Sequence, residues 1–102
     1  MNLAELQKLH DAQLATLTVD WSGQRVQLRI RHGWPSIWSD LTLSGLRTIS
    51  VTMSDEWGPS VHIHRINLES ADSATRFLVE MQSGDVINMV AGSVELLPVE
   101  NA

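Results

Sequence analysis

From Leu14 onward, apolar residues recur at every second position. Leu17, Val19 and Trp21 alternate with Thr16, Thr18 and Asp20. After Ser22-Gly23, the residues Val26, Leu28 and Ile30 alternate with Arg25, Gln27, Arg29 and Arg31. A period of two marks a strand with one buried face. A two-residue turn at Ser22-Gly23 sets Asp20 opposite Arg25, Val19 opposite Val26, and Leu17 opposite Leu28. That register pairs apolar with apolar on one face and an acid with a base on the other.

The same period returns further along. Leu41 and Leu43 are followed by a break at Gly45, then by Ile49, Val51 and Met53; a bulge or bend at Gly45 accounts for the break. Val61 and Ile63 fall in the opposite phase to Ile66 and Leu68, so a bulge near His64-Arg65 is needed to keep one buried face. Phe77, Val79 and Met81 lead into Gln82-Ser83-Gly84. A type I turn with Gly84 left-handed sets Val79 opposite Ile87 and Phe77 opposite Met89. Val94 and Leu96 close the pattern, and Pro98 ends regular pairing. Residues 32–40 and 54–60 read as loops because of Gly33, Pro35, Gly58 and Pro59. Before the strands, Asn2 and Glu5 form a capping box ahead of Leu3, Leu6 and Leu9, which predicts a short helix over residues 3–10. It is too short to persist unless it docks on the sheet. The pattern predicts a mainly β fold, an antiparallel β-sandwich or strongly curved sheet of about seven strands with a short N-terminal helix.

Length and composition narrow this further. The 102 residues fit one domain, 1–102, with a radius of gyration of about 13 Å. The 43% hydrophobic and 19% charged content is that of a globular chain. A net charge of −5 argues against nucleic-acid binding, which needs a basic field, and suits a basic partner. There is no cysteine, and the N-terminus lacks the basic and apolar runs of a signal peptide. No stretch approaches a membrane span. These features lead to the expectation of a soluble, cytoplasmic protein.

Candidate chemistry is sparse. His62 and His64 are two apart on a strand, which puts both imidazoles on one face, as two metal ligands would require. No spacing marks a third ligand, and the simpler reading of the pair is two solvent-facing histidines. His10-Asp11, at the junction of helix and first strand, offers either an oriented base or a helix-end cation with a turn-capping carboxylate. Arg25, Arg29 and Arg31 make a basic stripe that either pairs with acids across the sheet or forms an anion-binding face. Nucleophile elbows, phosphate-binding glycine loops and dinucleotide fingerprints are missing, and nothing calls for a cofactor.

Tryptophan is the departure from average composition: four Trp against one Phe and no Tyr. Trp34, Trp38 and Trp57 fall in the predicted loops, either as anchors for a partner or as plugs over the ends of a small core.

The runs His10-Asp11-Ala12, Trp57-Gly58-Pro59-Ser60-Val61 and Glu80-Met81-Gln82-Ser83-Gly84-Asp85 resemble a set of small uncharacterised bacterial proteins. Their layout is similar to that of β-rich immunity proteins of polymorphic toxin systems. The resemblance spans most of the chain and implies a cytoplasmic bacterial protein that neutralises a toxin by binding it. It carries no functional residue with it. The expected function is therefore a non-catalytic, immunity-type inhibitor of a protein partner, with Trp34, Trp38, Trp57, His62 and His64 as candidate binding residues. The alternatives are a metal- or small-ligand-binding domain using His62 and His64, and a homo-oligomer formed through an exposed strand edge.

Overall fold

Among the described residues, alternation and turn chemistry together produce eight antiparallel strands: β1 (Gln13–Asp20), β2 (Arg25–His32), β3 (Ile37–Ser44), β4 (Thr48–Val51), β5 (Ile63–Ala71), β6 (Ala74–Met81), β7 (Val86–Ala91) and β8 (Ser93–Pro98). The computed structural model describes residues 7–33, 35–53, 61–71 and 73–99. Two four-stranded sheets result, one ordered β1-β2-β3-β8 and the other β4-β7-β6-β5. The radius of gyration is 13.0 Å, as a single packed body of this length requires.

The two sheets share a bent ribbon. β3 pairs with β8 in one sheet, and their continuations β4 and β7 pair in the other. The bend falls at Gly45, with φ 65°, and at Gly92, whose amide donates to the Ser44 and Gly45 carbonyls at 3.0 and 3.2 Å. A Cβ on Gly45 would stand 3.5 Å from the Gly92 nitrogen. Space is therefore adequate, and the left-handed backbone is what requires glycine. The run Leu41–Met53 reads in sequence as one strand with a break at Gly45. It is two strands in different sheets, which is why about seven strands become eight. Gly45→Val should cost about 1–2 kcal/mol in denaturant unfolding, through the left-handed conformation alone.

At the opposite corner the sheets are stitched by the bridge Gln13↔His62. Leu14 donates to Val61 at 2.7 Å and Ile63 donates to Ala12 at 2.8 Å. The register of β1 on β2 has Leu17↔Leu28, Val19↔Val26 and Asp20↔Arg25, as the alternation demands. The Ser22-Gly23 turn closes through Gln24 N to Trp21 O at 3.3 Å, with Gln24 as its left-handed residue at φ 51°. Val79↔Ile87 and Phe77↔Met89 pair as expected, and Gly84 takes φ 91°. The predicted bulge lies between Ile63 and Arg65, leaving Ile63 and Ile66 both buried.

The core lies between the sheets. Val26, Leu28, Ile30, Leu41 and Leu43 from one sheet meet Ile63, Phe77, Val79 and Met89 from the other, all at 0–1% exposure. Leu9 joins them, fully buried. Residues 3–6 of the predicted helix lie outside the described residues. Of its remainder, residues 8–10 form a turn in which His10 N donates to Gln7 O at 3.3 Å and Ala12 N to Leu9 O at 2.9 Å. The described part of the predicted helix is thus a turn at residues 8–10, held on the core by the burial of Leu9.

Candidate functional site

Trp38 sits on β3 rather than in a loop, because pairing with β2 extends to His32↔Ile37 and takes in most of the predicted loop 32–40. Ile37, Ser39 and Leu41 share the inward phase of that strand, so Trp38 and Asp40 point outward. Arg31 is the register partner of Trp38, and its guanidinium stands 5.8 Å from the ring centroid. That distance is within the range of cation–π attraction. Leu97 on β8 stands opposite Asp40, diagonal to Trp38 on the same face, and is 52% exposed. Val99 N donates to Trp38 O at 2.8 Å and holds the end of β8 against the tryptophan. Ile37, on the opposite face at the sheet end, is 49% exposed because the core does not reach that far.

The basic stripe divides into three environments. Arg25 reaches Asp20 at 3.1 Å. Arg29 donates from Nε and Nη2 to the two Asp40 carboxylate oxygens, at 3.0 and 3.1 Å, and these hydrogen bonds raise the pKa of the guanidinium above its ordinary value. Arg31 forms no ion pair among the described residues, and its donors are presented beside the Trp38 ring. The stripe is thus cross-strand pairing at two positions and an open aromatic–cation pair at the third.

Asp20 caps the β1-β2 turn. It accepts from Gly23 N at 3.0 Å and from Ser22 Oγ at 3.3 Å, besides Arg25. The Gly23 amide and the Arg25 guanidinium hold its carboxyl below the usual carboxylate value of 3.8. A lowered folded-state pKa means that the stabilisation is present above the unfolded pKa and is lost as pH falls through the folded one. A Cβ on Gly23 would lie 2.4 Å from Asp20 Oδ2. Gly23→Ala should therefore push the carboxylate off its cap and return its pKa toward 3.8, readable by NMR titration of Asp20. An unchanged titration would show that the cap survives the methyl group.

His62 lies in the bridge to Gln13, before β5 begins, and His64 lies in the bulge; both are exposed. His64 packs edge-on against His10, with ring centroids 5.8 Å apart at 63°. His10 Nδ1 donates to the His64 carbonyl, and its Nε2 stands 3.5 Å from Asp11 Oδ2. Gln82 donates to the other Asp11 oxygen. This cluster ties the segment before β1 to β5 and to the β6-β7 turn, and both imidazole nitrogens of His10 face protein groups. Among the described residues, no three His, Cys, Asp or Glu side chains are placed to hold a metal ion.

Trp34 and Trp57 lie outside the described residues. Trp21, which the alternation places with the inward stripe of β1, is 90% exposed at the tip of the hairpin. The signal for this was its position next to Ser22-Gly23, beyond the last paired residue. Leu97 went unmarked because its neighbour Leu96 carries the inward phase.

No family model matches the sequence, and no curated protein matches it. Among solved structures, the chain is similar to an uncharacterised protein from Neisseria gonorrhoeae, with a TM-score of 0.66 at 13% identity. The match covers 88% of this chain and 93% of that one. At such identity the likeness is one of fold. Among the described residues, no helix is long and apolar enough to cross a membrane.

Proposed function

We propose that the chain is a non-catalytic binding protein, an immunity-type inhibitor that neutralises a protein partner by occupying it. The observation that carries this reading is the Arg31–Trp38 pair on the outer face of the first sheet, beside exposed Leu97. Trp and Arg are the side chains that most often dominate an interface, since each contributes large area at modest entropic cost. Here both are held by a sheet rather than a loop, so little ordering is required on binding. The net charge of −5 accelerates encounter with a basic partner, and Arg31 then offers its donors to a carboxylate or carbonyl on it.

The test is affinity purification from the native host with wild-type protein and with Trp38→Ala. The reading expects a stoichiometric partner with the wild type, lost with Trp38→Ala, whose expression alone slows growth. Recovery of the protein alone, or of the same partner with both forms, would overturn it.

A further inference from the structure

Four strands are sheet edges: β1 and β8 in one sheet, β4 and β5 in the other. Edge strands expose unpaired backbone groups, and proteins guard them with charge, proline, brevity or a covering segment. β4 has only four residues. β5 carries Arg65 and Glu69, and its start is covered by Asp11 N to Ile63 O at 2.8 Å. β8 carries Glu95 and ends at Pro98. β1 differs: Gln13–Val19 has no charged residue and no proline, and its bulge at Ala15 lies close to the end already bridged to His62.

Among the described residues, an open seam runs beside β1. Its far wall is β4, which passes in the opposite direction and stays more than 8 Å away in Cα distance along most of its length. Two depressions lie in the seam. One, of about 260 Å³, is bordered by Leu14, Ala15, Leu17, Met53 and Val61; the other, by Val19, Trp21, Arg47 and Ile49. The exposed apolar side chains concentrate here: Trp21 at 90%, Met53 at 85%, Val61 at 47%, Val51 at 43% and Val19 at 42%. Five of the seven exposed large apolar side chains among the described residues border this seam.

We propose that the occupant of this seam is a second copy of the chain, added antiparallel along β1 about a two-fold axis through Thr18. The strand is self-complementary in that register. Thr18 faces Thr18 of the second copy, Leu17 faces Val19, and Thr16 faces Asp20. Trp21 then comes opposite Ala15, the smallest side chain on the strand, at the mouth of the 260 Å³ depression. The knob and the hole are six residues apart on one strand, so the two-fold axis makes the same contact twice, as an isologous interface must. No like charges are set face to face, since Asp20 is tied to Arg25. The result is a continuous eight-stranded sheet, with Val51 and Met53 of each copy covered in the second layer. The Arg31–Trp38 face remains open on both copies, so this pairing stands apart from partner binding.

Sedimentation equilibrium of the wild type should give twice the chain mass. Dimerisation should tighten as salt rises, because each copy carries −5 and the contacts are apolar. Thr18→Lys places two ammonium groups across the axis and should give a monomer. Trp21→Ala, outside the strand pairing, should weaken association at least about tenfold while leaving the circular dichroism unchanged. Leu97→Lys, on the β8 edge, should leave the dimer intact. A wild type that stays monomeric at high concentration overturns the proposal, as does a dimer that survives both Thr18→Lys and Trp21→Ala. Capture of a partner by monomeric Thr18→Lys would separate this question from that of partner binding.

Discussion

Phe77→Ala is expected to lower stability by about 3–5 kcal/mol, the range for emptying an aromatic site in a core that only partly collapses. Phe77 is the one phenylalanine in the chain and is 1% exposed. It lies on β6 between Leu68 and Met89, its register partners on either side, so no neighbour can close the space without moving a sheet. A domain of this size holds only about 5–15 kcal/mol in total. The variant should therefore lose roughly 12–40 °C in thermal midpoint, at about 4–8 °C per kcal/mol. Phe77→Leu, which keeps most of the volume, should cost less than about 1.5 kcal/mol. Denaturant unfolding of both variants checks the pair. A loss below about 1 kcal/mol for alanine would mean that the centre of the core lies elsewhere.

The second large effect belongs to the outer face. Trp38→Ala should weaken binding of the captured partner by about thirtyfold or more, the consequence of removing a hot-spot side chain worth at least about 2 kcal/mol. Its fold should be nearly untouched, since Trp38 is only half-buried and its backbone pairing with Arg31 survives. Arg31→Lys is the informative companion. It keeps the charge but gives up the planar group that lies beside the ring, so an intermediate loss is expected. Titration calorimetry on the three proteins separates these outcomes. Equal affinity for wild type and Trp38→Ala would remove this face from the interface.

The strands were legible because each relies on a local rule. Alternation and the Ser22-Gly23 turn determine the β1-β2 register, and the phase change between Ile63 and Ile66 demands a bulge that is present. The sheet order was not legible. Gly45 signals a break, but nothing local says that the chain beyond it belongs to another sheet, because that depends on β7 and β8 bending at Gly92, far along the chain. The candidate site was legible in residue type and misplaced in setting. Trp38 was expected in a loop because Gly33 and Pro35 precede it, yet β2 runs on to His32 and draws β3 back to Ile37. Trp21 follows the apolar phase of β1 and is nevertheless exposed, since alternation carries no information on where a sheet stops covering its partner.

The bent ribbon also governs how fast the chain reaches this structure. The β1-β2, β5-β6 and β6-β7 hairpins join neighbours in sequence and can close within about 1–10 μs. The ribbon instead joins residues 39–51 to residues 86–98, and neither sheet gains its full complement of strands until that connection is made. Closing so long a loop before its contacts exist is the slow event, which places folding in the millisecond-to-second regime of non-local β topologies. β1 has β2 as its one strand neighbour both before and after that step and no charge along most of its edge, so its free edge is available to another chain throughout assembly.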